Sequence, residues 1–506
     1  MSSKVRVRFA PSPTGGLHIG GVRTALFSYL FAQKNKGTFI LRIEDTDQTR
    51  FVEGAEKYII DALEWCGISP TEGPHLGGDF GPYRQSERKE IYKKYALELI
   101  EKGFAYYAFD TSEELEKMRN DFKTSENPSP QYDASIRMKM KNSLTLSEDE
   151  VNENLKNNVP YVIRIKVPKN EMISFEDMIR GEIKNDSNLV DDKVLLKADG
   201  MPTYHLAVVV DDYLMKISHA FRGEEWLPSA PIHVLLWNYF GWIKDMPKWA
   251  HLPLLLKPDG NGKLSKRDGE RLGFPVFPLA WKNTDGELQK GFEEMGFLPE
   301  AFVNFLAMLG WNDGTDKEIF TKEELIQSFE IERIHKSGAK FDFEKAKWYN
   351  QEWIKKSSAL ELKTSVEKEF AKHNIEIKDE VFFLEIIDLI KERCVLLPDF
   401  IEQSKFFFEA PTELDKESML KNWIEDKKVF FEKFLSQSNT IEWHSAIIEE
   451  NFKQLAVVNG FKPNELLLPL RIMLVGGKFG PNVFLIAQKI GVEETKARIE
   501  LAINNI

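Results

Sequence analysis

The 506-residue sequence predicts an α/β domain that carries an α+β insertion and is followed by an all-α C-terminal half. Three observations support this. A strand–helix–strand pattern fills about the first forty residues, the character changes between about Gly103 and Met201, and apolar residues take helical spacing after about Pro258. The chain is too long for one hydrophobic core, so several domains are expected.

The N-terminal pattern predicts a βαβ unit. Lys4–Phe9 alternates charged residues with Val and Phe, as in a strand, and a turn follows at Pro11–Gly15. Apolar residues then predict a helix from about Ile19 to Lys34, and Thr38–Ile43 is the next strand. A strand, helix and strand in this order indicate parallel strands joined by a right-handed crossover.

Residues 103–201 are predicted to be the α+β insertion, and a helix over 86–101 precedes them. Within the insertion lie polar, acidic and strand-like segments, namely Asn120–Gln131, 147–153, Tyr161–Val167 and Lys193–Lys197. We expect the pattern of the first sheet to return at His205–Val210, because this run is almost continuously apolar.

The C-terminal half is predicted to be helical because its apolar residues recur with a period near 3.6. Glycine- and proline-containing turns separate several of these segments. The predicted helices are 299–310, 322–329, 359–373, 379–396, 416–436, 444–457, 465–474 and 482–504.

Composition excludes several classes of protein. Two distant cysteines, Cys66 and Cys394, rule out a disulfide framework and a four-thiolate metal site, which fits a reducing compartment. We expect a cytoplasmic protein, because the sequence shows neither a long uncharged apolar run nor an N-terminal signal core. The net charge is −12, yet residues 1–50 carry eight Lys/Arg against three Asp/Glu. Such a local excess suits either a solvated face or a bound polyanion.

The first motif with chemical content is Pro11–Gly21, which reads Pro-Ser-Pro-Thr-Gly-Gly-Leu-His-Ile-Gly-Gly. The prolines stiffen a turn at the edge of the sheet where ligands bind in α/β folds. Gly20 and Gly21 leave room for a flat base or sugar. His18 stands at a helix start, where the dipole favours phosphate and an imidazole donor can stabilise a transferring phosphoryl group.

The second motif is Lys263–Arg267, which follows the flexible segment Pro258–Gly262. Three cations within five residues suit a triphosphate, because they can close on charge that grows in the transition state. A P-loop is excluded, because the required earlier glycine is replaced by Lys257 and the required Ser or Thr by Leu264.

These two motifs together resemble the paired signatures of class I aminoacyl-tRNA synthetases. Further segments are similar to the bacterial-type glutamyl-tRNA synthetase family, and they span nearly the whole chain in the family's order. The matching segments are Arg8–Gly20, Arg42–Asp47, Gly81–Arg88, Pro202–Leu206, Arg222–Trp226 and Pro469–Arg471.

The resemblance implies four regions. Residues 1–102 and 202–257 would form a Rossmann-like catalytic domain, and the 103–201 insertion would hold the acceptor end of tRNA. Residues 258–338, with the Lys263–Arg267 loop, would contact the tRNA stem. The helical region 339–506 would read the anticodon, since RNA is read in a sequence-specific way at unstacked loop bases.

The resemblance also implies the reaction and its site residues. L-glutamate would be activated by ATP with Mg²⁺ and transferred to tRNA-Glu. Glutamate brings two carboxylates and one ammonium, so two arginines and a carboxylate complement it. Arg8 and Arg222 match the carboxylate-binding arginines and Glu44 the ammonium-binding residue, while which arginine grips which end stays open. Ala10, Ser12 and Tyr204 complete the implied glutamate site.

His18, Lys263 and Lys266 match the family's catalytic residues. The resemblance also implies an anticodon contact at Arg393, in the segment Lys391–Cys394. The implied ATP contacts are Ser12, His18, Gly20, Glu225, Leu255, Lys263, Ser265, Lys266 and Arg267.

Two departures from the family pattern stand out. Val208 occupies a position where some members have an asparagine that contacts glutamate, so one polar contact is absent or comes from elsewhere. Residues 102–200 contain no Cys or His, so no zinc site is expected there.

Several alternatives remain. The nearest is a non-discriminating member that also glutamylates tRNA-Gln. Glutaminyl-tRNA synthetase fits less well because its anticodon half is built from β-barrels, and a truncated tRNA-modifying relative would lack the C-terminal half. A catalytically silent tRNA-binding protein is disfavoured by intact His18, Glu44, Lys263 and Lys266. The family suggests a monomer, and no membrane partner is expected.

Overall fold

A computed structural model describes residues 4–125, 127–282, 286–421 and 423–505. The chain divides into two compact units. The first unit comprises Met1–Glu294 and Phe302–Phe343, and the second comprises Met295–Ala301 and Glu344–Ile506. Most of the second unit is therefore one continuous segment that begins at Glu344.

The predicted βαβ unit is present at the N-terminus. Strands β1 and β2 pair in parallel, with Val7 opposite Phe39. The helix between them ends at Lys34 because Asn35 closes it and Lys36 takes a left-handed backbone conformation, φ 51°. The elements up to residue 102 are β1 (Arg6–Phe9), α1 (Ile19–Lys34), β2 (Thr38–Leu41), α2 (Ala55–Trp65) and α3 (Lys89–Glu101).

The predicted insertion contains two different structures. Strands β3, β4 and β7 form a small antiparallel sheet of their own, whereas β5 and β6 join the sheet of the βαβ unit. Its elements are β3 (Ala105–Ala108), α4 (Ser112–Asp121), α5 (Glu148–Lys156), β4 (Val162–Ile165), β5 (Met172–Asp177), β6 (Gly181–Asp186) and β7 (Val194–Leu196).

The expectation that a strand returns at His205–Val210 is wrong. These residues belong to helix α6 (Tyr204–Leu214), and Leu206 to Val210 are all buried. A helix covered on every side shows an unbroken apolar run, which periodicity alone does not distinguish from a buried strand. The strand comes later, and the next elements are β8 (His219–Gly223), α7 (Ala230–Tyr239), β9 (Lys248–Leu252) and β10 (Leu255–Leu256).

The main sheet has the order β2-β1-β8-β9-β5-β6, with every neighbouring pair parallel except β5 and β6. Parallel strands direct their carboxyl ends to one edge. Strands β1, β2 and β8 are adjacent in this order, so Ala10, Arg42 and Glu224 follow their strands at the same edge. The elements that follow along the chain are α8 (Lys266–Leu272), β11 (Trp281–Lys282), β12 (Leu288–Gln289), α9 (Pro299–Met308), α10 (Lys322–Ser328) and β13 (Ala339–Lys340).

Helices, with no strand, form the regular structure of the described residues after Glu344. Two long predicted helices are each divided: 416–436 becomes α15 and α16, and 482–504 becomes α19 and α20, where Gly491 turns the chain with φ 86°. The helices are α11 (Phe343–Lys356), α12 (Ala359–Lys372), α13 (Glu380–Ile390), α14 (Asp399–Phe408), α15 (Lys416–Leu420), α16 (Glu425–Gln437), α17 (Ser445–Val458), α18 (Asn464–Val475), α19 (Val483–Ile490) and α20 (Val492–Asn504).

None of the helices in the described ranges has the length and apolar character needed to cross a membrane.

Partly buried His219, in β8, links the stability of the first unit to pH. Its ring packs against Phe31 at a centroid distance of 4.7 Å, and burial lowers the pKa of His219 from 6.5 to about 4. Between pH 6.5 and pH 4 the unfolded chain binds a proton at this histidine that the folded chain does not. The free energy of unfolding therefore decreases as the pH falls below about 6.5. His219→Gln is expected to recover about 1–2 kcal/mol at pH 5.

The measurement is the urea midpoint of unfolding at pH 5 and pH 8. At pH 8 the imidazole is neutral in both states, so pH 8 is the internal control. Equal pH dependence in wild type and variant would contradict the assignment.

Candidate active site

A cavity of about 430 Å³ opens at the carboxyl ends of β1, β2 and β8. Such an edge is where open α/β sheets bind ligands. The cavity brings together most of the residues predicted for the site. Those that line it are Arg8, Ala10, Ser12, His18, Gly20, Glu44, Tyr204, Arg222, Glu225, Leu255, Lys263 and Lys266.

Backbone hydrogen bonds hold the loop between β1 and α1. The amide of Glu44 donates to the Pro11 carbonyl at 3.0 Å, and the amide of Ile19 donates to the Val276 carbonyl at 2.9 Å. Gly16 must be glycine, because a Cβ there would lie 2.7 Å from Cγ of Trp281. The loop is therefore packed on both sides before any ligand arrives.

His18 is the N-cap residue of α1. Its Nδ1 accepts a hydrogen bond from the Gly20 amide at 3.0 Å, so a neutral ring carries its proton on Nε2. Burial, with Lys266 and Lys263 nearby, lowers the pKa of His18 to about 4. Nε2 is buried without a hydrogen-bond partner among the described residues. At neutral pH, His18 therefore offers one unused N–H donor beside the cavity.

The segment before the second motif folds back as a hairpin. The Leu264 amide donates to the Leu255 carbonyl at 2.8 Å, and the Lys257 amide donates to the Gly262 carbonyl at 3.1 Å. This hairpin presents Lys263 to Glu225, with Nζ 2.6 Å from Oε1. Both side chains are exposed, so this ion pair is weak and can be exchanged for phosphate.

Lys266 connects the two motifs. It is the first residue of α8, whose capping box joins Ser265 to Asp268, with Oγ donating to Oδ2 at 2.6 Å. A Cβ on Gly15 would lie only 3.4 Å from the Lys266 Nζ, and Gly15 itself has φ 127°. The lysine ammonium therefore lies against the turn that precedes His18, and two motifs far apart in sequence become one surface.

Buried charges join Arg8 to Glu44. Asp212 accepts from Arg8 Nε at 3.0 Å and from Arg42 Nη1 at 2.8 Å, while Arg42 Nη2 donates to Glu44 Oε1 at 3.1 Å. Burial raises the pKa of Glu44 and acts in the same direction on Asp212, but the two guanidinium groups hold the pKa of Asp212 below its usual value. Two side chains of the cavity are thus fixed by a single chain of ion pairs.

Arg222 is held differently. Its Nε donates to His251 at 2.8 Å, and its Nη1 donates to the Tyr204 hydroxyl at 3.2 Å. Its Nη2 is buried without a hydrogen-bond partner in the part of the chain that the structure describes. An unused, buried guanidinium donor beside a cavity indicates an anionic ligand.

The remaining predicted residues lie elsewhere. Ser265 and Arg267 flank Lys266, yet neither belongs to the described lining of the cavity. Val208 is part of α6 and is buried in the core, also away from the lining. Arg393 is exposed in the second unit, after α13.

Other residues of the matching motifs stabilise the fold rather than line the cavity. Asp45 accepts from the Ser86 amide at 2.8 Å and from its hydroxyl at 2.6 Å. Buried Arg88 donates to Asp211 at 2.8 Å. Among the described residues, no group of three or more His, Cys, Asp and Glu side chains is arranged to hold a metal ion.

Two family models cover the chain. Residues 4–348 match the catalytic domain of class I tRNA synthetases (E and Q), and residues 344–503 match an anticodon-binding domain. A glutamate–tRNA ligase of Amoebophilus asiaticus is 51% identical, covering 100% of this chain and 99% of its own. The chain belongs to the glutamate–tRNA ligase family.

Relatives of known structure agree with this membership. A glutamate tRNA ligase of Elizabethkingia meningosepticum, crystallised in complex with its amino acid, is 46% identical with a TM-score of 0.94, and 99% of each chain is covered. The glutamate–tRNA ligase of Flavobacterium johnsoniae is 52% identical over the full length of both chains. This chain is therefore a class I synthetase of the same architecture.

The cavity of this ligase family member also contains residues that the sequence did not single out. Trp226 lies against Tyr204 with ring centroids 4.5 Å apart and is 42% exposed. Arg23 lines the wall, but its two terminal guanidinium nitrogens donate to the carbonyls of Leu309 and Pro253. Trp226 is the last residue of the matching segment Arg222–Trp226, and this position is the sequence signal that could have identified it. Arg23 gave none, because the carbonyls that hold it come from distant parts of the chain.

Proposed function

We propose that the enzyme attaches L-glutamate to tRNA-Glu through a glutamyl-adenylate formed in the cavity at the sheet edge. The α-carboxylate of glutamate attacks the α-phosphorus of ATP, and the bond to pyrophosphate breaks. A hydroxyl of the terminal adenosine of tRNA then attacks the adenylate carbonyl, and AMP leaves. The protein positions these groups and stabilises their charge, so no covalent enzyme intermediate is required.

One observation carries this proposal: Arg8, Arg222 and Glu44 line the same cavity. Glutamate has two carboxylates and one ammonium, and two guanidinium groups with one carboxylate are its charge complement. Arg222 keeps an unused donor, and the chain of ion pairs around Asp212 holds Arg8 and Glu44 in place. A neutral or cationic amino acid would leave one arginine without a partner.

The other end of the cavity suits ATP. Phosphate oxygens can be bound by the Nε2–H of His18 and by the ammonium groups of Lys263 and Lys266. Gly20 leaves space for the nucleotide. We place Ser265 and Arg267 beside this clamp as supporting residues. Mg²⁺ would arrive on the phosphates and neutralise part of their charge, because it usually binds through substrate phosphates and few carboxylates.

The second unit is proposed to read the anticodon. Arg393 is exposed. The pKa of Arg471 is lowered by the burial of Arg471 and by the charge of Arg393, so the two arginines lie near each other. Arg471 donates to the carbonyls of Phe479 and Pro481 at 3.0 and 2.7 Å, and the Phe479 ring is 46% exposed. Paired cations beside an exposed aromatic ring suit unstacked RNA bases. The small sheet of residues 103–201 would hold the acceptor end.

The decisive experiment is aminoacylation of purified tRNA-Glu and tRNA-Gln side by side with labelled glutamate. We expect charging of tRNA-Glu only. Charging of both would identify a non-discriminating enzyme, and charging of neither would refute the proposed function. A monomeric state stays a prediction of the resemblance, and a cytoplasmic location stays a prediction of the sequence.

Arg8→Lys is expected to raise the glutamate KM about tenfold or more. A single ammonium cannot keep the contacts of the guanidinium with Asp212 and the Phe221 carbonyl and also reach a substrate carboxylate. The measurement is aminoacylation kinetics with glutamate and ATP varied separately. The matched control is Arg6→Lys on the same face of β1, where Arg6 pairs with Glu72 outside the cavity lining. Unchanged glutamate kinetics in Arg8→Lys would remove Arg8 from the site.

A further inference from the structure

The feature that carries a further inference is the set of acceptors around Arg222. The guanidinium donates to His251 Nε2 at 2.8 Å, to His233 Nδ1 at 3.0 Å and to the Tyr204 hydroxyl at 3.2 Å. No carboxylate of the described residues lies within ion-pair distance of it, although the side chain is almost fully buried. Buried arginines ordinarily pair with carboxylates, as Arg42 does here.

Hydrogen-bond logic determines the protonation of His251. A guanidinium only donates, so His251 Nε2 must hold a lone pair and Nδ1 must carry the proton. Nδ1 lies 2.6 Å from Oδ2 of Asp177, which accepts that proton's hydrogen bond. Asp177 is held in turn by the amides of Ile179 and Arg180 at 3.0 and 2.9 Å. Asp177 thereby keeps His251 in the tautomer that accepts from Arg222.

The same logic applies to His233. Its Nδ1 accepts from Arg222, so its Nε2 carries the proton and donates to His205 Nδ1 at 3.3 Å. Burial lowers the pKa of His233 well below its usual value and that of His205 to about 4, and it also lowers the pKa of His251. The rings that hold Arg222 are therefore neutral at physiological pH.

Neutral acceptors and carboxylates have different consequences for an arginine. A carboxylate orients the guanidinium and also cancels its charge, whereas an imidazole orients it and leaves the charge in place. The uncancelled charge of Arg222 is available at Nη2, which has no partner among the described residues. The cavity wall thus holds a rigid cation that is ready for a carboxylate.

We propose that His251 and His233 are positioning residues that hold Arg222 as an uncompensated cation for a substrate carboxylate, and that Asp177 maintains the tautomer of His251. This inference rests on the proposed function. None of the three is placed in contact with the substrate, so their effect passes through Arg222.

Asp177→Asn is the sharpest test, because it keeps the shape and reverses one polar group. The amide oxygen of the introduced side chain can keep the Ile179 and Arg180 contacts, which directs its NH₂ at His251 Nδ1. The ring must then take the other tautomer, and its Nε2–H faces the Nε–H of Arg222. We expect the glutamate KM to rise about tenfold to hundredfold, while the ATP KM stays within about twofold.

His251 variants separate hydrogen bonding from packing. His251→Gln can present its amide oxygen to Arg222 and its NH₂ to Asp177, so we expect a glutamate KM within a few-fold of wild type. His251→Leu has no acceptor and is expected to match Asp177→Asn. The matched control is His219→Gln, a partly buried histidine on the same strand as Arg222 whose ring bonds to Ser218 instead, and it is expected to leave both KM values unchanged.

The outcomes are distinguishable. If wild type charges no tRNA with glutamate, the proposed function fails. If wild type is active, two results with Asp177→Asn would refute the positioning role: an equal rise of the KM for glutamate and for ATP, or no rise of either. The same holds if His251→Gln is as impaired as His251→Leu. Unfolding midpoints of all variants identify any that is merely unstable. If a His251 variant is unstable, Asp177→Asn decides alone, and if Asp177→Asn is unstable, the comparison of His251→Gln with His251→Leu decides.

Discussion

Replacing Lys266 by alanine is expected to lower tRNA-dependent ATP–pyrophosphate exchange by about two to three orders of magnitude, the usual effect of losing one transition-state donor. The Lys266 ammonium lies over Gly15, beside His18, where the proposed reaction would build up negative charge as pyrophosphate leaves. Its removal takes one of the two lysine cations of the cavity away from that charge. Binding of tRNA, measured by fluorescence anisotropy, is expected to stay within about twofold of wild type.

Arg271→Ala is the matched control for this result. Arg271 lies on the same helix, α8, and is exposed, but it pairs with Asp268 outside the cavity lining. Loss of this cation is expected to change exchange less than about twofold. Equal losses in Lys266→Ala and Arg271→Ala would indicate that only general positive charge on α8 matters. Normal exchange in Lys266→Ala would remove Lys266 from the catalytic residues.

His18→Asn is expected to lower the exchange rate by about two orders of magnitude without destabilising the protein. Asparagine is a good N-cap residue, and its side-chain oxygen can accept from the Gly20 amide as His18 Nδ1 does. It has no group at the position of Nε2, so the donor toward the phosphates is lost. The change therefore separates helix capping from catalysis.

His18→Ala completes the comparison. Alanine removes both the cap and the donor, so we expect the same loss of exchange and, in addition, a destabilisation of about 1 kcal/mol. Exchange assays and unfolding midpoints of both variants give the measurement. If His18→Asn retained wild-type exchange, His18 would be a capping residue only.

Elements with clear periodicity were predicted well from the sequence. Helix α1 runs from Ile19 to Lys34 as expected, and β2 begins at Thr38. The error at His205–Val210 has a physical cause, because burial on all sides removes the polar face that reveals a helical period. Residues 172–186 lay in the predicted insertion, yet Asp177 pairs with Trp249 in the main sheet. That pairing is a long-range contact with no local signal.

In the candidate site, too, residues in local motifs were predicted and residues that depend on long-range contacts were not. His18 and Lys266 were found because each lies in a short motif whose residues act together in sequence. His251 and Asp177 were not found, since each is a single residue in an ordinary strand and acquires a role only through contact with Arg222. Trp226 stood in a recognised motif, but its exposure beside Tyr204 is a property of the fold.

The sequence by itself determined the family, and it predicted the order of the domains and the residues of the two motifs around His18 and Lys266, because strand–turn–helix chemistry is local. Only the tertiary structure decided how charge is distributed in the cavity. The sequence treats Arg8 and Arg222 alike, whereas in the fold Arg8 faces Asp212 and Arg222 faces neutral imidazoles. The physical reason is that the charge an arginine offers to a ligand depends on its neighbours in space, and those neighbours come from distant strands and helices.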